Sequence, residues 1–143
     1  MNATVEVLGS FETKTCLPLP FFTESVPAGF PSPAEDHIEK TLDLNEFLVR
    51  HPQATFFLRV SGDSMSGAGI TDKDILIVDR SIEPTHGKIV IAILDGELTV
   101  KRLHRKNGKI LLLPESPKFK PIEIKSESDL QVWGVVTNVI KSC

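Results

Sequence analysis

From Thr55 onward the chain is a succession of short runs rich in Val, Ile, Leu and Phe, each closed by turn-forming residues, and this punctuation constrains the fold more than any other feature. The runs are Thr55 to Val60, Ile75 to Val78, Lys88 to Leu94, Glu97 to Leu103, Lys109 to Leu113, Ile122 to Ile124 and Val132 to Ile140. Between them lie Ser61-Gly62, Asp79-Arg80, Asp95-Gly96, Asn107-Gly108 and the prolines 114, 117 and 121. β-Branched and aromatic side chains suit a half-buried pleated surface, so each run reads as a strand and each gap as a tight turn. Seven short strands so spaced predict a mostly β chain, folded as a compact antiparallel β-rich domain. Asp95-Gly96 is the strongest hairpin signal, because a type I′ turn needs positive φ at both central residues.

The amino-terminal third is different. Pro18, Pro20, Pro27, Pro31 and Pro33 interrupt it, and Phe21, Phe22 and Phe30 follow no sustained period, so residues 1 to about 33 read as an extended arm that orders only where it docks. Ser32-Pro33-Ala34-Glu35 has a capping serine, proline at the first helical position and glutamate three residues after the cap, which predicts a short helix. Asp43, with Glu46 three residues on and Leu44, Phe47 and Leu48 at helical spacing, predicts a second, ended by Pro52.

At 143 residues with 41% hydrophobic and 24% charged residues, the chain has the length and composition of one globular domain. Apolar runs such as Ile89 to Leu94 fall far short of the roughly 20 residues of a membrane span. The amino terminus carries Glu6 and Glu12 and lacks the basic start and apolar stretch of a signal peptide. Cys16 and Cys143 do not make a disulfide scaffold or a metal-ligand pattern, so a cytoplasmic protein without metal or cofactor is expected. A net charge of −3 argues against a chain that holds nucleic acid by neutralising phosphates, and points to protein partners without direct sequence-specific DNA binding and without a membrane.

Ser64 follows a strand in Ser61-Gly62-Asp63-Ser64-Met65, where a glycine permits a sharp turn and small neighbours leave the hydroxyl accessible. Lys101 lies within the apolar run Leu98 to Leu103. Desolvated there, a lysine loses proton affinity and its free amine can act as general base to a serine hydroxyl. Spacing alone favours Ser64 as a plain turn former and Lys101 with Arg102 as exposed hairpin positions. Lys101, Arg102, His104, Arg105, Lys106 and Lys109 form one basic cluster without interleaved aromatics, which reads as a solvated hairpin tip. His37, His51, His86 and His104 are scattered, and no Gly-x-Ser-x-Gly elbow is present.

An ordered series of motifs nevertheless resembles one family. Ala28-Gly29-Phe30-Pro31-Ser32-Pro33, Asp43-Leu44-Asn45, Ser61-Gly62-Asp63-Ser64-Met65, Gly69-Ile70, Asp74 to Asp79, His86-Gly87, Asp95-Gly96-Glu97, Val100-Lys101 and Trp133-Gly134-Val135-Val136 together look like the bacterial UmuD and MucA mutagenesis proteins, from about residue 17 to the end. The resemblance implies a LexA-like Ser-Lys peptidase fold, a signal-peptidase-like β domain that forms a homodimer. It implies that Ser64 is the nucleophile, Lys101 the general base, the backbone N–H groups around Asp63 and Ser64 the oxyanion hole, and Ala28-Gly29 the scissile bond. Residues 1–28 would then be a removable arm and residues 29–143 the peptidase-like domain. In the family, cutting occurs on a RecA filament assembled on single-stranded DNA. The shortened chain joins a UmuC-type subunit as an error-prone translesion polymerase in the SOS response. Two departures stand out: Ala28 where several relatives have cysteine, and Lys73 where glycine is common, which implies a different turn there.

Three other readings compete. A LexA-like repressor needs a helix-turn-helix ahead of the peptidase domain, and the proline-broken residues before Gly29 hold none. A signal peptidase would carry an apolar anchor. A binding module of the same fold with an inert dyad would behave identically after Ser64→Ala.

Overall fold

A computed structural model describes residues 2–12, 16–22 and 38–143. The described residues up to Phe11, together with Gln53–Cys143, form one compact unit, and those of Glu12–Pro52 a second.

In the larger unit β1 (Thr4–Ser10), β4 (Thr55–Ser61), β5 (Ile75–Asp79), β6 (Ile89–Leu94), β7 (Glu97–Lys106), β8 (Lys109–Leu113), β9 (Ile122–Ile124) and β10 (Val132–Ile140) make one antiparallel sheet. Their order is β1-β4-β5-β10-β6-β7-β8-β9, and β1 also meets β7 at Thr4↔Thr99. This second pairing closes six strands into a barrel, with β8 and β9 extending it. All seven expected strands are present. The turns are those the sequence called for: Asp95 and Gly96 take φ of 49° and 79°, and Asn107 and Gly108 take 55° and 75°.

Alternation along the strands sorts the apolar side chains into two clusters. Leu58, Val60, Met65, Ile70, Leu76, Val78, Ile91, Val100 and Ala3 form one. Val90, Ala92, Leu103, Ile110, Leu112 and Val135 form the other. Neighbours in β6 therefore serve opposite faces, Ile91 the first cluster and Val90 the second. A burial of this extent, at about 25 cal/mol per Å² of apolar surface, is the main force holding the strands in register.

In the smaller unit β2 (Pro18–Phe22) pairs antiparallel with β3 (Ile38–Asp43), from Pro18↔Asp43 to Phe22↔Ile38. Among the described residues β2 pairs with β3 alone, and such an edge position is one where prolines are tolerated in a strand. Helix α1 (Leu44–Leu48) starts where the sequence placed it, with the Asp43 carboxylate accepting from the Asn45 amide at 3.1 Å. The short helix expected to begin at Ser32-Pro33-Ala34-Glu35 lies outside the described residues.

Three strands went unrecognised in the sequence, β1, β2 and β3. β1 and β2 both lie on the amino-terminal side of Ala28-Gly29, within the stretch read as an arm. β1 is bonded to β4 from Thr4↔Ser61 to Ser10↔Phe56, with one irregularity between Val7 and Gly9. Lys73 takes φ +73°, the left-handed conformation that glycine adopts freely, so lysine occupies that turn at some backbone cost.

Candidate active site

Ser64 stands in the loop that follows β4. Gly62, at φ +103°, turns the chain sharply out of the strand, and its N–H donates to Asp72 Oδ1 at 3.0 Å. Behind it, Val60 N–H donates to the Asp74 carbonyl and Lys73 N–H to the Val60 carbonyl, both at 2.8 Å, so the loop springs from a fixed base. Beyond Ser64, Met65 is buried in the first cluster and Ser66–Ala68 forms a single 3-10 turn. The loop is fastened from the far side by Glu115. The Glu115 N–H donates to the Ser64 carbonyl and the Glu115 carbonyl accepts from Gly67 N–H, each at 2.7 Å. A Cβ on Gly67 would lie 2.6 Å from that carbonyl oxygen, so the close approach requires glycine. The Glu115 carboxylate is itself paired with the Arg102 guanidinium, which also donates to the Gly87 carbonyl at 2.7 Å.

Lys101 comes from β7. It lies opposite Val90 in the register and shares its strand face with Thr99 and Leu103. Its side chain is among the largest fully buried ones, at 1% exposure, and Ser64 is fully buried. Nζ and Ser64 Oγ stand 3.0 Å apart. Burial among apolar neighbours pushes the Lys101 amine below the ordinary lysine range, since the charged form loses its hydration. Among the described residues no carboxylate offsets that loss, and Nζ also donates to Asn2 Oδ1 at 3.1 Å. A hydroxyl and an amine of lowered proton affinity at hydrogen-bond distance, shielded from water, can exchange a proton and so generate a nucleophilic oxygen.

Alternation along β7 sends Lys101 and Arg102 to opposite faces, so the basic cluster divides. Lys101 enters the site, Arg102 braces Glu115, and Arg105 lies 3.4 Å from Glu127. Only Lys106 and Lys109, exposed at the β7–β8 turn, fit the solvated tip. His86 and His104 stack edge to face, 5.0 Å between centroids, and the backbone N–H of Arg105 donates to His86 Nδ1. Ala28 and Gly29 lie outside the described residues. Among those residues no group of acidic, histidine and cysteine side chains could hold a metal ion, and no helix is long and apolar enough to cross a membrane.

The sequence did not reveal three contributors. Asn2 and Ala3 reach the site because β1 docks between β4 and β7. The Thr4-Val5-Glu6-Val7 alternation was the available signal for that strand. Glu115 left no trace in local spacing, because its part is played by backbone atoms in a loop after β8.

Comparison with known proteins agrees with this architecture. The family described as Peptidase S24-like matches residues 20–137. Protein SamA of Salmonella typhimurium strain LT2 is 50% identical over 121 residues, covering 85% of this chain and 84% of SamA. Protein MucA of Escherichia coli is 45% identical over 121 residues, covering 84% and 82% of the two chains. The LexA repressor of Ectopseudomonas mendocina is 43% identical over 117 residues, 81% of this chain but 57% of the repressor. With a family match over most of its length and relatives this similar, the chain belongs to the S24-like peptidases and, within them, to the UmuD/MucA family.

Proposed function

We propose that this protein is a self-cleaving serine endopeptidase of the SOS response. It cuts its own chain between Ala28 and Gly29, and the shortened form serves as accessory subunit of an error-prone translesion DNA polymerase. The observation that carries the reading is the 3.0 Å approach of Lys101 Nζ to Ser64 Oγ in a buried site. In the first step the neutral Lys101 amine takes the Ser64 hydroxyl proton as Oγ attacks the Ala28 carbonyl carbon. Backbone N–H groups around Asp63 and Ser64 stabilise the negative oxygen of the tetrahedral intermediate. The Lys101 ammonium then gives its proton to the departing Gly29 nitrogen, leaving Ala28 esterified to Ser64. Water, deprotonated by the same lysine, hydrolyses the ester and restores the hydroxyl.

Tethering supplies proximity that a bimolecular peptidase must obtain by binding, with effective molarities of about 10⁵ M in well-oriented cases. Such a site needs restraint, and a RecA filament on single-stranded DNA acts by favouring the docked form of the cleavage segment. The cut chain, a homodimer in the cytoplasm, then engages a UmuC-type polymerase subunit.

The test is intact mass of the purified chain at mildly alkaline pH, with and without RecA filaments, beside Ser64→Ala and Lys101→Ala. Fragments of residues 1–28 and 29–143 from the wild type alone are expected. A wild-type chain left whole with filaments present overturns the reading and leaves a binding module of the same fold.

A further inference from the structure

The dyad is already occupied. Ala3 N–H donates to Ser64 Oγ at 2.8 Å, and Asn2 Oδ1 accepts from Lys101 Nζ at 3.1 Å, so both reactive atoms are engaged by the same dipeptide. The Ala3 carbonyl accepts from Val100 N–H at 3.1 Å and from Thr99 Oγ1 at 2.6 Å, which pins the dipeptide to the strand that carries the lysine. On its other side the continuing chain pairs with β4, the strand that leads to the serine. Ala3 has no exposed surface and packs in the first cluster with Leu58, Val60 and Val100, in a space where a larger side chain would not fit.

We propose that residues 2–10 are a built-in plug of the Ser64–Lys101 site, and that the plug must withdraw before another extended segment, the one containing Ala28-Gly29 included, can reach the serine. This rests on the peptidase reading and adds its regulation. The slot between β4 and β7 recognises an extended chain by main-chain hydrogen bonds and one small side chain, a mode that admits many sequences. A carbonyl carbon must come within about 3–3.5 Å of Oγ to be attacked, and the Ala3 amide holds that approach. Occupation by residues 2–10 and by the cleavage segment is therefore mutually exclusive. The apparent rate of cutting is reduced by the fraction of chains whose slot is open.

Two variants of the full chain test this. Ala3→Arg places a long cation where no space exists and should expel the plug, giving self-cleavage at least about tenfold faster than wild type. Thr99→Val keeps side-chain volume but removes one bond to the Ala3 carbonyl, and should accelerate cutting about three- to tenfold. Excess synthetic peptide of residues 2–10 should return Ala3→Arg to the wild-type rate. Equal rates in wild type and Thr99→Val, or an Ala3→Arg chain that is folded by circular dichroism yet no faster, overturn the plug. A binding measurement separates this from failure of the peptidase reading. In the Ser64→Ala background, fluorescein-labelled peptide 2–10 should bind the Ala3→Arg chain and not the chain with Ala3 intact, by anisotropy. If no chain ever cuts itself, the peptidase reading fails while that binding pattern still upholds the plug. Absence of binding to both chains removes it.

Discussion

Lys101 Nζ meets Ser64 Oγ at 3.0 Å although 37 positions separate the two residues in the chain. The meeting is a product of sheet order. The serine follows β4 and the lysine sits on β7, strands on the two sides of β1. Nothing local creates the pair. Its precision depends on strand register, on the Glu115 backbone that holds the serine loop, and on apolar neighbours that strip water from the amine.

In the proposed self-cleavage, the lowered proton affinity of Lys101 is expected to set the pH dependence. Below its folded-state pKa the amine is protonated and cannot accept the serine proton, so the rate rises about tenfold per pH unit and levels once the amine is neutral. The inflection is expected below the ordinary lysine value of about 10.4. Mass-spectrometric rates between about pH 5 and 10 would show it, and a profile without any inflection would exclude a lysine base. Lys101→Arg, which stays protonated throughout, should lose at least about 100-fold in rate.

The same shift makes the lysine a burden on stability. With a folded-state pKa below the unfolded one, the unfolded chain binds more protons between the two values, so stability rises with pH across that window. The penalty is at its fullest below the folded-state pKa. Lys101→Met keeps most of the volume and removes the charge, and should raise stability at pH 6 by about 1 kcal/mol or more. Urea midpoints should differ less as pH approaches 10. A Lys101→Met chain no more stable than wild type at pH 6 would show that the buried ammonium is fully compensated.

Much of this was legible in the sequence, and the exceptions have physical causes. Strands β4 to β10 announced themselves through β-branched runs, and Asp95-Gly96 and Asn107-Gly108 through positive φ. Ser64 and Lys101 were visible as a hydroxyl after a glycine turn and a cation inside an apolar run. β1 was hidden because a short Thr-Val-Glu-Val alternation, placed ahead of a proline-broken stretch, carries little weight until its partner strands are known. β3 went unassigned because Ile38–Asp43 mixes Ile, Thr and Leu with Glu, Lys and Asp, and its partner β2 is broken by prolines. Glu115 was invisible because backbone atoms carry its contacts to the loop, and backbone atoms have no sequence signature.

Gly67→Ala should uncouple the serine loop from its clamp. The added carbon would lie 2.6 Å from the Glu115 carbonyl oxygen, a backbone atom that cannot swing aside as a side chain would. Relief requires the loop or residue 115 to move, weakening the Gly67 N–H bond and disturbing the one from Glu115 N–H to Ser64. A loss of about 1–3 kcal/mol in urea unfolding is expected. Cutting should slow more than that loss alone explains, because Ser64 itself is displaced. Wild-type stability and rate together would mean that the clamp does not position the serine.

Lys73→Gly is the converse case, a substitution that should help. Lys73 holds φ +73° in the turn where its N–H donates to Val60 and the Asp74 N–H donates to Thr71 at 3.1 Å. A left-handed non-glycine residue costs roughly 1–2 kcal/mol, and glycine gives back about 0.5–1 kcal/mol through its larger unfolded-state entropy. The net gain expected is therefore between zero and about 1.5 kcal/mol, with Tm rising by roughly 2–4 °C for each kcal/mol gained in a domain near this size. Because the turn supports the base of the serine loop without touching Oγ or Nζ, the cutting rate should stay within about twofold of wild type at equal folded fraction. A fall in Tm would mean that the lysine side chain stabilises the turn by contacts that outweigh its backbone strain.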